Sequence, residues 1–384
     1  MTVLRIPALY MRGGTSKGVF FRAADLPPAG PQRDRVLLRV IGSPDRYGKH
    51  IDGMGGASSS TSKVVVLAPS SHAGFDVDYL FGQVAIDRAV IDWSGNCGNL
   101  SAAVGPAAIH LGLLPMPVDG RAAVRIWQAN IDKPIVAHFW VREGQVVEEG
   151  EFELDGVTFP AAEIALEFID PAGEEGDTSG AVFPTGAFIE TLDVPGVGAI
   201  EATLIAAGLP TIYVDAATLG LNGAELQPQV NGDHALLARV EAIRACASVR
   251  FGLSATAEEA SAARLHTPKL AFVAPPAAYR ASDGRAIEAH SIDLLARVFS
   301  MGQMHHAMTG TGAISIAAAA AIPGNLVSRI VRPGADGRIR VGHPSGRLIV
   351  GAEARQHDGK WTVTKVLMSR SARRLMEGWV HVPV

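Results

Sequence analysis

Only two of the 384 residues are cysteines, Cys97 and Cys246, and they form no Cys-x-x-Cys pair. That excludes a disulfide framework and a zinc knuckle, and it fits a reducing cytoplasm. Positive charge is not in excess either: 34 Lys and Arg stand against 38 Asp and Glu, for a net charge of -4. No overall field draws phosphate backbones, so nucleic acid is not an expected partner. Long apolar runs are missing as well. The most apolar stretch, Ala313 to Ile322, stops at Pro323, short of the roughly 20 apolar residues a membrane span needs. Arg5 interrupts the apolar N-terminal segment, so no signal peptide or membrane contact is expected.

Glycine is abundant, at 42 residues, while aromatics make up 6%. Many tight turns and close backbone approaches follow, which suits strands better than a helical bundle. The length allows about two domains of roughly 100 to 200 residues each. The stretch DPAGEEGDTSG, at 170–180, reads as a solvated connection between domains 1–180 and 181–384. About the last 20 residues are expected to pack back on the first domain. Both halves look strand-rich: VRIWQANI, PIVAHFWV and QVVEEGEFEL on one side, ATLIAAGLPTIYVD and KLAFVAPP on the other. One amphipathic helix is expected after the N-cap Asp233, with Leu236, Leu237, Val240, Ile243 and Ala247 at helical spacing. Cys246 falls within it and reads as a small buried hydrophobe. Two further helices consist almost entirely of small residues, LSAAVGPAAIHLG after Cys97 and AISIAAAAAI after Gly312.

Those helices belong to an internal repeat. Ser62-Lys63-Val64-Val65-Val66-Leu67-Ala68-Pro69 is echoed by Pro268-Lys269-Leu270-Ala271-Phe272-Val273-Ala274-Pro275. Asn96-Cys97-Gly98-Asn99 before one small helix is echoed by Met308-Thr309-Gly310-Thr311 before the other. The offsets are 206 residues, from 63 to 269, and 212 residues, from 97 to 309. Two ordered matches at nearly one offset imply two pseudo-symmetric domains.

Four segments can carry chemistry. Ser94 to Leu100 delivers Cys97 to a helix start, where unsatisfied N–H groups favour a thiolate. Asp52 to Lys63 is a glycine- and hydroxyl-rich loop ending in a lysine that burial can bring toward neutrality. Arg12-Gly13-Gly14-Thr15-Ser16-Lys17-Gly18 sets two cations beside donor-rich backbone, as for a carboxylate. It lacks the P-loop spacing, as does Gly42 to His50. Met301 to Gly312 leads into the second small helix, another anion cradle. Its adjacent His305 and His306 come without a carboxylate cluster or an HExxH motif, so no metal is expected. Gly-x-Ser-x-Gly is absent. A helix-start cysteine, a lysine and several carboxylate-binding groups suit acid–base work on a polyanion, where each preorganised donor contributes roughly 3 to 4 kcal/mol to the transition state.

RGGTSKGVFF, IGSPD, HIDGMGGASSSTSKVVVL, DVDYLFGQV, DWSGNCGNLSAAVG, MGQMHHAM and MSRSARRLMEG resemble the PrpF family over nearly the whole chain. The resemblance implies an α+β, diaminopimelate epimerase-like fold: two pseudo-symmetric domains, each a β-barrel-like sheet around a central helix, with a site between them. It implies a cofactor-independent isomerase that takes trans-2-methylaconitate to the cis isomer, and accepts trans-aconitate, in propionate breakdown by the methylcitrate cycle. It also implies functional coupling to an aconitase-type dehydratase, and a homodimer is among the expected assemblies. Lys63 and Cys97 match the family's acid–base pair. Arg12, Thr15, Ser16, Lys17, Ser62, Asn96, Gly98, Asn99, Lys269, Met308, Thr309, Gly310 and Thr311 are the expected substrate-binding residues. Thr309 stands where related epimerases carry a second cysteine, so a Lys63/Cys97 pair replaces two-cysteine chemistry. On this reading Lys63 removes a proton beside the double bond, the dienolate rotates, and Cys97 acts as partner acid or stabilises charge; the reverse assignment fits equally. Competing readings are a 4-oxalomesaconate tautomerase, a non-catalytic accessory of an iron–sulfur dehydratase, and a cysteine hydrolase.

Overall fold

The computed structural model describes residues 3–172 and 181–383. The chain divides into two compact units, one made of Met1–Glu167 and Ser369–Val384, the other of Phe168–Met368. The division falls earlier than the expected 180/181 boundary, because the strand Ile164–Ile169 already carries the chain out of the first unit. Residues 173–180 of the expected connection lie outside the described residues.

In the first unit the strand Val3–Gly13 pairs antiparallel with Ala372–Pro383 on one side and Ser16–Arg22 on the other. Ser16–Arg22 runs parallel to Lys63–Pro69, and the helix Pro31–Ile41 lies in the crossover between them. That helix has proline in its first turn and ends on Gly42 at φ 87, the left-handed stop that glycine supplies. Lys63–Pro69 then pairs antiparallel with Val77–Val84, which is parallel to Gly120–Gln128, which is antiparallel to Lys133–Arg142. The helix Ser101–His110 packs against Val3–Gly13, Gly120–Gln128, Lys133–Arg142 and Ala372–Pro383. Every residue from Ser101 to Ile109 is buried. Small side chains are required for that: a Cβ on Gly105 would stand 2.8 Å from the Phe139 ring.

The second unit repeats the pairing order. Gly198–Ala207 is antiparallel to Leu209–Asp215, which is parallel to Lys269–Ala274 across a crossover containing the helix His234–Phe251. Lys269–Ala274 is antiparallel to Leu294–Ser300, Leu294–Ser300 is parallel to Arg338–His343, and Arg338–His343 is antiparallel to Gly346–His357. The buried helix here is Gly310–Ala321. The internal repeat is therefore a repeat of topology as well as of short motifs.

The amphipathic helix starts where expected, with the Asp233 carboxylate accepting from the Leu236 N–H at 2.9 Å. Cys246 departs from expectation. It is only partly buried, packs at the margin of the core, and lies 3.7 Å from the Asp193 carbonyl. QVVEEGEFEL also departs: only Gln145–Val146 is strand, with an isolated bridge at Phe152, because a run of acidic residues gives no alternating apolar face.

Candidate functional site

Lys63 opens a strand whose Val64 and Val66 pack with the helix Pro31–Ile41. Side chains alternate along a strand, so Lys63 points to the opposite face. It is 4% exposed. Its cross-strand partner is Gln83, whose Oε1 accepts from Lys63 Nζ at 2.5 Å. The Gln83 Nε2 donates to the Ser62 carbonyl at 3.1 Å, which fixes the amide's orientation. Burial lowers the lysine's hold on its proton, partly offset by the charge of Cys97. A neutral amide leaves that effect in place, whereas a carboxylate would oppose it.

Cys97 lies in the turn before Ser101–His110 and is 7% exposed. Three donors converge on its carbonyl: the Ser101 N–H at 3.0 Å, the Ser101 hydroxyl at 3.1 Å and the Tyr79 hydroxyl at 3.2 Å. Burial first, then Cys97, raises the Tyr79 phenol well above its ordinary value, so it stays a neutral donor. The turn is held from the other side by the hairpin at Gly13–Ser16. A Cβ on Gly13 would approach the Asn99 carbonyl oxygen to 2.8 Å and the Leu100 Cα to 2.9 Å, so only glycine lets the hairpin close on the turn.

Asn99 links three elements. Its Nδ2 donates to Thr15 Oγ1 at 2.9 Å and its Oδ1 accepts from Arg370 Nε at 3.0 Å. Arg370 is buried, and its Nη1 donates to the Ser369 carbonyl at 3.0 Å. Burial lowers this guanidinium to about 9 and Cys97 opposes the shift, so it stays charged at neutral pH.

Lys63, Cys97, Thr15 and Asn99 thus lie in one unit, with Thr15 hydrogen-bonded to Asn99. Other expected residues also bond or pack within the unit. Arg12 spends its Nη1 on the carbonyls of Gly14, at 3.1 Å, and Ser371, at 2.9 Å. It is lowered to about 10 by burial and then by Arg373, with Glu148 opposing. Lys17 sets its Nζ 5.3 Å from the Tyr10 ring centroid. Ser16 and Asn96 are buried, and Gly98 follows the cysteine. The Ser62 hydroxyl lies 3.3 Å from His50 Nδ1, inside the loop.

In the second unit Lys269 is buried, with Nζ donating to Ser300 Oγ at 3.1 Å and lying 3.5 Å from His266 Nδ1. Lys269 therefore stands to Ser300 as Lys63 stands to Gln83. Thr309 caps its helix through Oγ1, which accepts from the Gly312 N–H at 3.1 Å, and Met308, Gly310 and Thr311 are buried around it. The His305 ring stacks on His306 at 4.6 Å, and its Nδ1 lies 2.7 Å from the Ala307 carbonyl. No group of three or more His, Cys, Asp or Glu placed to hold a metal ion occurs among the described residues.

Sequence reasoning passed over Gln83, Tyr79 and Arg370. All three lie within DVDYLFGQV and MSRSARRLMEG, but strand register and the return of the chain's end are what bring Gln83 to Lys63, Tyr79 to the Cys97 carbonyl and Arg370 to Asn99.

Among solved structures the chain is similar to one described as methylitaconate-delta-isomerase, with TM-score 0.77 and 38% identity, covering 100% of this chain and 96% of that one. It is also similar to a hydroxyproline epimerase from Agrobacterium vitis, with TM-score 0.54 and 14% identity over 98% of this chain and 93% of that one, which speaks to fold alone. The architecture is the diaminopimelate epimerase-like fold: duplicated halves, each folding its strands about a buried helix. Over residues 3–383 the sequence matches the PrpF protein family, and the chain belongs to it. A 2-methyl-aconitate isomerase of Shewanella oneidensis is 57% identical, over 99% of this chain and 97% of that protein.

Proposed function

We propose that this protein is an isomerase converting trans-2-methylaconitate to its cis isomer by taking a proton from carbon and returning it, with Lys63 and Cys97 as the acid–base pair. The observation that carries the chemistry is a buried lysine on a neutral amide, in the same unit as a buried cysteine whose turn is held by three donors to its carbonyl. Identity of 57% to a 2-methyl-aconitate isomerase carries the substrate. Loss of a proton beside the double bond gives a dienolate in which the former double bond rotates; return of the proton fixes the new geometry. No electrons change hands overall, so the step calls for no redox cofactor. Thr15, Ser16, Asn99 and Arg12 are candidates for substrate carboxylates in the first unit, with Lys17, Ser62, Asn96 and Gly98 beside them. Lys269 and Met308 to Thr311 are the second unit's candidates. The cis product suits an aconitase-type dehydratase of the methylcitrate cycle, and trans-aconitate fits as an alternative substrate.

Proton NMR with trans-2-methylaconitate in D₂O tests this, with 4-oxalomesaconate in a parallel sample. The expected result is the cis isomer with deuterium in its carbon skeleton. Turnover of 4-oxalomesaconate alone would transfer the reading to a tautomerase, and turnover of neither would end it.

The Lys63–Gln83 bond makes a second expectation. A carboxylate facing an ammonium favours the charged lysine, so Gln83→Glu raises the Lys63 pKa. The limb of the kcat/KM profile that reports Lys63 moves to higher pH by about one unit or more. An unmoved profile in a folded variant would mean that Lys63 does not titrate in the working range.

A further inference from the structure

Taking a guanidinium out of water is costly unless something offsets its charge. Buried Arg244 is offset by the Glu241 carboxylate, with Nε donating to Oε2 and Nη2 to Oε1, both at 2.7 Å. Arg297 gives Nε and Nη1 to carbonyls, lies 5.1 Å from the Tyr279 ring centroid and has its Nη2 sealed in the core. Arg370 has neither arrangement. It is 2% exposed, and its Nε and Nη1 donate to two neutral oxygens, Asn99 Oδ1 and the Ser369 carbonyl. Among the described residues no carboxylate pairs with it and no aromatic ring lies against it. Its Nη2 makes no hydrogen bond to them, and unlike that of Arg297 it is not sealed from solvent.

The unused nitrogen is fixed in place by a closed ring of bonds. Arg370 Nε donates to Asn99 Oδ1, and Asn99 Nδ2 donates to Thr15 Oγ1. The Gly14 N–H beside Thr15 donates to the Ser371 carbonyl at 2.8 Å, which brings the ring back to the residue after Arg370. Arg12 Nη1 reinforces the last link by donating to the same carbonyl at 2.9 Å. A planar fork held this way has little rotamer freedom left to lose when it binds a ligand. Asn99 is two residues past Cys97, so the guanidinium borders the turn that carries the cysteine.

We infer that Arg370 is a substrate-binding residue, whose Nη2 takes one carboxylate of the polycarboxylate substrate. The inference rests on the isomerase reading above and deepens it. The substrate supplies the counter-charge that the chain withholds, and the charged pair persists through the reaction with no bond to carbon made or broken by this residue. A ligand without that carboxylate leaves the buried cation unmatched, so Arg370 selects for the full set of carboxylates.

The test is isothermal titration calorimetry on the full-length protein with three saturated ligands that cannot isomerise: tricarballylate, glutarate, which lacks its central carboxylate, and methylsuccinate, which lacks a terminal one. Arg370→Gln is expected to weaken tricarballylate at least tenfold. The dicarboxylate that lacks the carboxylate held by Arg370 is expected to stay within about threefold of its parental affinity. Arg370→Lys, which keeps the charge but not the fork, falls between parent and Arg370→Gln. Equal weakening of all three ligands is what a merely structural arginine would give, and it overturns the inference. Parental affinity for tricarballylate in folded Arg370→Gln overturns it as well, as does a parent that does not bind tricarballylate. A crystal structure of the unaltered protein with tricarballylate needs no variant to fold: a carboxylate oxygen within about 3.2 Å of Arg370 Nη2 is expected, and bound tricarballylate that leaves Nη2 unpaired overturns the role. Turnover of trans-2-methylaconitate by the parent reports separately. Turnover with no effect of Arg370→Gln on tricarballylate keeps the isomerase reading and removes this role; a tricarballylate site that depends on Arg370 in a protein without turnover keeps the carboxylate site and removes the reading.

Discussion

Replacing Lys63 by methionine is expected to lower turnover of trans-2-methylaconitate by about 10² to 10⁴, with Cys97→Ala losing a similar factor, the range attributed to a positioned acid or base. Methionine nearly matches the lysine stem in length and leaves the buried wall filled. It removes a group whose burial already disfavours its charge but leaves the buried Gln83 Oε1 without that donor, a cost of about 1 to 3 kcal/mol, so the melting temperature should change far less than turnover. The separation of the two readouts is the diagnostic part. A structural lysine would show the reverse, with activity following stability. The double variant should be no worse than the poorer single one, because two groups acting as a unit are not additive. Steady-state rates beside thermal melts decide the matter; near-parental turnover in both folded single variants would remove the pair from the chemistry.

Gly13→Ala carries the second large effect, through geometry alone. The added methyl would stand 2.8 Å from the Asn99 carbonyl oxygen and 2.9 Å from the Leu100 Cα, both backbone atoms that no rotamer change can move. Either the hairpin opens or the turn carrying Cys97 shifts. Overpacking of this kind costs about 1 to 3 kcal/mol. Displacement of a reacting group by about 1 Å costs on the order of 10² in rate. The expectation is a lower melting temperature together with a kcat loss that exceeds it. Parental kcat in this variant would show that the hairpin does not position the cysteine.

Much of this arrangement could be read in the sequence because its signals are local. Asp233 before a periodic apolar run marks a helix start wherever the helix lies. The two small-residue helices announce burial by having no side chain that could not be buried, and the matched Lys-strand-Ala-Pro segments expose the duplication before any strand pairing is known. What stayed hidden depends on register. Gln83 faces Lys63 only because Val64 pairs with Gly82, and one residue of slip would put Gly82 there instead. Arg370 stands 271 positions from Asn99, and nothing in its own segment marks it as more than one of several arginines near the end of the chain. Cys246 misled for the opposite reason: its spacing from Ile243 placed it on the apolar side, but it sits at the edge of that stripe and is partly uncovered.

The helix Ser101–His110 behaves as an axle. Strands enclose it, its residues from Ser101 to Ile109 are all buried, and it has no loose face along which a misfit could relax. A substitution that adds bulk near its far end, at Ala107 or Ala108, has no sideways outlet and is passed along the axis to the turn at Cys97. The turn at Cys97 is therefore open to tuning from a distance, through the packing of this helix alone.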